Sequence, residues 1–233
     1  MIRPAQHVLL GQGGAGEPEP TYAYPVSTGI VGLWDANEYG QNSSMTGNLS
    51  ELPDISGNGN SLKAVDTVTG NVDLEVDFDS STPFWINGLG SSNSMAALQV
   101  LAGIDAKSTP FTYVIRLLYV GSSAADRYIG FSPEISGDPS YMLAGDNSMR
   151  FNNGSFGFPG GSGKRTLAVR NDVSGSCDIF VDGARVVDAG AVPSGAVQDR
   201  FYMADCQYVF AALHHASLSD AEIAAIHDYA IGA

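Results

Sequence analysis

The chain is short of charge, and of positive charge most of all. Charged residues make up 15% of its 233 residues, and 11 Lys and Arg stand against 25 Asp and Glu, a formal net charge of −14. Nucleic-acid binding needs a concentrated basic face, and these cations are scattered, so nucleic acid is excluded as a partner. An anionic membrane surface is disfavoured on the same ground. Only two cysteines are present, Cys177 and Cys206, in neither a CxxC nor a Cys/His spacing. They make no disulfide framework or zinc site and read as small buried apolar residues with one optional bridge. No stretch approaches the ~20 apolar residues of a spanning helix, so membrane insertion is not expected. A signal peptide is missing too: His7-Val8-Leu9-Leu10-Gly11 is too short for its core and is soon followed by acidic residues and prolines. The expected location is therefore the cytoplasm where the chain is made, and outside it only as part of a larger particle. No nucleophile elbow is found. Lys164 follows Gly160-Gly161-Ser162-Gly163, but a phosphate loop needs a strand before it and a helix after it.

What the chain has in quantity is glycine, 28 copies, among many Ser and Asn, with 44% hydrophobic residues. That composition suits short strands joined by tight turns, and the length suits one large domain. Gly29–Trp34 is a compact apolar strand, and Val72–Phe78 alternates strictly between apolar and acidic. Phe111–Val120 is nearly continuously apolar, as a sheet centre requires. Further short strands are expected at 128–131, 141–144, 148–152, 165–171, 177–181, 201–203 and 208–214, with Asp182-Gly183 at a hairpin tip. Ser219-Asp220-Ala221-Glu222 is a capping box, and Ile223, Ile226 and Tyr229 or Ala230 follow at helical spacing. The fold class is thus all-β: an antiparallel β-sandwich with one short C-terminal helix and an extended N-terminal arm.

Two parts are expected. Residues 1–28 form the arm, where Pro4, Pro18, Pro20, Pro25 and a Gly cluster oppose regular structure. Its apolar residues suit a segment that orders on a partner, and Ile2, Arg3, Val8, Leu9 and Leu10 are the candidate assembly anchor. Residues 29–233 form the sandwich.

Three segments, in order, resemble the laminin-G-like branch of the concanavalin A-like jelly rolls. They are Leu33-Trp34-Asp35 followed by Asp54-Ile55-Ser56-Gly57-Asn58-Gly59-Asn60, then Ile179-Phe180-Val181-Asp182-Gly183, then Leu218-Ser219-Asp220-Ala221-Glu222-Ile223. Phe78-Asp79 sits where such domains carry a Phe-Asp pair. The family's Trp-His ahead of the strand at Arg165–Val169 is missing, and His214-His215-Ala216 replaces the aromatic or Arg that often precedes the closing Leu-Ser. With the Met-Ile-Arg-Pro start, the chain is similar to accessory structural proteins of tailed-phage particles.

Glycosidases on this fold carry Glu-x-Asp-x-Glu, and Glu75-Val76-Asp77-Phe78-Asp79 comes close. Alternation puts the three acids on one face, neighbours ~7 Å apart. The third is Asp, however, and a solvated acidic face is the simpler reading, so no catalytic residue is assigned. For a metal, Asp54, Ser56 and Asn58 reproduce the first half of a calcium loop, but Val65 stands where the bidentate Glu belongs. Asp35, Asp54 and Asn58 are the metal candidates and calcium the candidate ion, against an Asx-type turn. The candidate carbohydrate-binding residues are Tyr128, Tyr141, Asn152, Asn153, Phe156 and Phe158, with Tyr39 and Trp85 as further loop aromatics. His214 and His215, adjacent in a strand, face opposite ways. The expected function is non-enzymatic: a virion structural or decoration protein displaying a lectin-like domain on the particle surface. Its expected partners are capsid or tail proteins through the arm and host-surface glycan, with self-association left open. The alternative is a soluble lectin-like adhesin, and a glycoside hydrolase stands third.

Overall fold

Apolar runs and alternating segments pair into two antiparallel sheets in a computed structural model. It describes residues 23–40, 47–49, 51–65, 74–77, 84–87, 97–101, 109–119, 127–132, 140–144, 148–151, 154–157, 163–172, 176–190, 200–203 and 206–232. The first sheet has nine strands. Its spatial order is β15 (Ala184–Gly190), β14 (Ser176–Val181), β13 (Gly163–Asn171), β8 (Phe111–Tyr119), β17 (Cys206–His214), β6 (Phe84–Asn87), β5 (Leu74–Asp77) and β2 (Gly47–Leu49), with β1 (Ile30–Asp35) also on β17. The second has eight: β12 (Gly154–Gly157), β11 (Ser148–Phe151), β10 (Ser140–Ala144), β9 (Arg127–Ser132), β16 (Arg200–Met203), β7 (Ala97–Leu101), β4 (Leu62–Val65) and β3 (Glu51–Leu52). The expected all-β sandwich is found, with its C-terminal helix α2 (Asp220–Ile231). A five-residue helix, α1 (Ala36–Gly40), follows β1 and was not expected.

The apolar run Phe111–Tyr119 is central because both its faces are covered. One face looks between the sheets: Tyr113 and Trp34 each lie against Phe201 of β16, at ring-centroid distances of 5.5 and 6.5 Å. The other face carries Val114, Ala168, Phe180 and Ala212 and is covered by Leu218, Ile223, Ile226 and Ala230. A third layer therefore explains why β8 shows no polar alternation. Helix α2 begins at the expected capping box: Glu222 N donates to Ser219 Oγ at 3.2 Å, and Ser219 N to Glu222 Oε2 at 2.8 Å. Gly232 ends it at φ 74°. Asp182 (φ 49°) and Gly183 (φ 79°) form the expected hairpin tip between β14 and β15. His227 of α2 closes over that tip, so a Cβ on Gly183 would stand 3.1 Å from its ring. Cys177 is buried in β14.

The sandwich begins upstream of Gly29. Val26 is buried, and Tyr24 packs on the α2-side core. Tyr24 lies 5.4 Å from Tyr229 and 6.2 Å from Phe210, and Gly29 O accepts from His215 N at 2.7 Å. Tyr24 and Val26 thus have the domain itself as their partner. The anchor candidates Ile2, Arg3, Val8, Leu9 and Leu10 lie outside the described residues.

Candidate functional site

The Asp-x-Ser-Gly-Asn-Gly-Asn segment is a hydrogen-bonded staple on β1. Asp54 Oδ1 accepts from Leu33 N at 2.9 Å and from Ser56 N at 2.8 Å. Oδ2 accepts from Ser56 Oγ at 2.9 Å and from Asn60 N at 3.0 Å. Asn58 Nδ2 donates to Ile30 O at 2.8 Å, and Asn60 Nδ2 to Val31 O at 2.7 Å. The oxygens that resembled half a calcium loop therefore face backbone N–H groups, and Asn58 turns its donor nitrogen to the strand. Asp35, the other metal candidate, accepts from Asn37 N at 2.9 Å and caps α1. It also receives the Tyr229 side chain, and burial pushes its carboxyl above the usual range. Among the described residues no group of three or more His, Cys, Asp or Glu could hold a metal ion.

Two further polar clusters tie α2 down. Buried His214 is held on both ring nitrogens by the segment before β1: Nδ1 is 2.7 Å from Thr28 O, and Nε2 is 2.7 Å from Tyr24 Oη. Burial keeps its pKa below 6.5, so the ring is neutral, donating to Thr28 O and accepting from Tyr24. Thr28 Oγ1 in turn donates to Glu222 Oε1 at 2.9 Å. His215 is exposed, as the alternation required. Arg170 spans β14 and the start of α2. Its Nε donates to Asp178 Oδ2 at 2.9 Å, and its Nη1 to Asp220 Oδ1 at 2.7 Å and Leu218 O at 2.8 Å.

The carbohydrate candidates divide. Tyr128 lies in β9, Tyr141 in β10 and Phe156 in β12, so all three belong to the eight-stranded sheet. Its register sets Arg127 against Ala144, Ala144 against Ser148, and Ser148 against Gly157 in one terminal row. Tyr128 is next to that row. Tyr141 is next to Ser140, which pairs with Phe131 towards the other end of β9. Phe156, expected in or beside a loop, is in the short strand Gly154–Gly157, which pairs with β11. Tyr39, 3% exposed, is in α1 and donates to Pro53 O, so it offers no face to a sugar. Trp85 lies in β6. Asn152, Asn153 and Phe158 lie outside the described residues. Of the acidic trio, Glu75 and Asp77 lie in β5, and Asp79 falls outside the described residues.

No family model and no curated protein matches the chain. Solved structures do. The Trypanosoma rangeli sialidase in complex with the inhibitor DANA matches at TM-score 0.57 and 14% identity, over 89% of this chain and 34% of that one. The botulinum neurotoxin serotype D/C VPI 5993 binding domain matches at TM-score 0.60 and 10% identity, over 87% of this chain and 52% of that one. A botulinum neurotoxin DC binding domain in complex with SialylT matches at TM-score 0.55 and 12% identity, with the same coverage of 87% and 52%. The likeness is one of fold. This chain spans a third to about half of the length of these three proteins. No helix among the described residues is long and apolar enough to cross a membrane.

Proposed function

We propose that this chain is a non-enzymatic, lectin-like binding module that a phage-type particle displays, with the sandwich facing host glycan and the N-terminal arm held by capsid or tail proteins. The observation that carries the binding half is the occupation of the polar groups. Asp35, Asp54, Asp178, Asp182, His214 and Glu222 each hold a structural hydrogen bond. Such a scaffold holds loops and strand ends rigidly while its acids are used for stability, which suits recognition better than acid–base chemistry. The toxin binding domain in complex with SialylT supports a glycan as the class of ligand, because it carries this fold. The particle setting rests on the laminin-G-like motifs and the arm's composition.

A glycan array probed with and without calcium tests the binding half; silence under both conditions would defeat it. The arm half needs a deletion that spares the domain. Removing residues 1–22 should abolish association with the particle and leave melting unchanged, because Tyr24 and Val26 remain to pack. Full loading of the truncated chain would overturn the anchor.

A further inference from the structure

Among the described residues three arginines are paired with acids. Arg165 pairs with Asp182 at 2.7 Å, Arg170 with Asp220 at 2.7 Å, and Arg185 with Asp220 at 3.6 Å. Arg116 is different. It is half-buried in the middle of the nine-stranded sheet, and among the described residues its side chain bonds a neutral oxygen, from Nη1 to Thr166 Oγ1 at 3.2 Å. A guanidinium has five N–H donors, so most of its capacity is unspent.

The register explains what stands beside it. Arg116 pairs with Thr166 and Leu118 with Lys164, so Arg116 and Lys164 are diagonal neighbours on β8 and β13. Both continue the row of Val114 and Ala168, the face that α2 covers further along. Lys164 is exposed and, among the described residues, has no acidic partner. Arg116 is close enough to oppose its charge, and burial also lowers its pKa. Asp182, the acid whose charge reaches Arg116, is already hydrogen-bonded to Arg165 Nε and Thr166 N, at 2.7 and 3.0 Å. Two adjacent cations with unspent donors, one half-buried, form a site for an oxyanion; Arg supplies a planar fork and Lys a point charge. The pair lies close to the row where Tyr119 meets Gly163. In chain order β8 is followed by β9, which carries Tyr128, and β13 is preceded by β12, both strands of the second sheet.

We infer that Arg116 and Lys164 form an anion subsite that selects glycans carrying an acidic group, a carboxylate or a sulfate, over neutral ones. This deepens the glycan-binding reading and rests on it. The test is titration of the full chain by calorimetry with three probes: a sialylated oligosaccharide, its methyl ester, and inorganic sulfate. Wild type should bind the free acid about tenfold or more tightly than the ester, since a charge-assisted pair is at stake. Lys164→Gln, at an exposed position, should remove that preference without changing the melting temperature; Arg116→Gln should remove it more completely. Sulfate should compete with the acid. Equal affinity for acid and ester, or a preference that survives in both variants, would overturn the subsite while leaving glycan binding intact. Sulfate binding lost in the variants, with no oligosaccharide bound at all, would keep the anion site and sink the glycan reading.

Discussion

Replacing Asp54 with Ala removes the acceptor that joins a turn to the strand it lies on. Four donors lose their partner: Leu33 N, Ser56 N, Ser56 Oγ and Asn60 N. Leu33 is a buried strand residue. Its orphaned N–H costs about 1–3 kcal/mol, while the turn donors can reach water and cost about 0.5 kcal/mol each. The expected loss is about 2.5–4.5 kcal/mol, a fall in melting temperature of about 5–18 °C for a domain of this size. Asp54→Asn keeps one oxygen for Leu33 N and Ser56 N and should lose about half as much. Thermal unfolding followed by far-ultraviolet circular dichroism reads both. Millimolar calcium should leave the wild-type midpoint in place, because both carboxylate oxygens already accept from the turn and β1. A midpoint for Asp54→Ala within about 2 °C of wild type would refute the staple. A calcium-dependent rise that Asp54→Ala abolishes would return the loop to the metal sites.

Three other perturbations have clear directions. Burial depresses the pKa of folded His214 below its unfolded value of 6.5, so above that pH the ring is neutral in both states. As pH falls below 6.5, the unfolded chain takes up the proton first and stability declines, by at most about 1.4 kcal/mol per pH unit, until the folded pKa is reached; His214→Gln should flatten a melting-versus-pH curve there. Arg170→Ala leaves the carboxylate of Asp178, whose side chain is 5% exposed, with Arg185 Nη1 at 3.8 Å as its remaining cation, and should cost about 3 kcal/mol in urea unfolding, with Arg170→Lys a poor rescue. Gly32→Ala would set a Cβ 2.4 Å from Trp34 Cη2 and should cost about 1–3 kcal/mol, together with a changed tryptophan fluorescence spectrum.

Sequence disclosed those parts whose chemistry is local. The capping box of α2, the Asp182-Gly183 tip and the turn at 54–60 need only neighbours a few residues away, and all are found in place. The short strands β2, β3, β4, β6, β7 and β12 escaped because two to five residues carry too little periodicity; pairing across the sheet defines them. Helix α1 was hidden for a similar reason, being five residues capped by Asp35. The packing of Tyr24 was illegible because its partner His214 lies 190 residues along the chain. Arg116 was passed over inside an apolar run, and only the register against β13 sets Lys164 beside it.

The central claim, that this sandwich holds glycan and leaves it uncut, is met most directly by titrating the chain calorimetrically with an oligosaccharide retained on the array and recovering that sugar for mass spectrometry. Saturable binding with the oligosaccharide returned at its original mass is the predicted result. Heat of dilution alone, or a recovered sugar shortened by a residue, would contradict it.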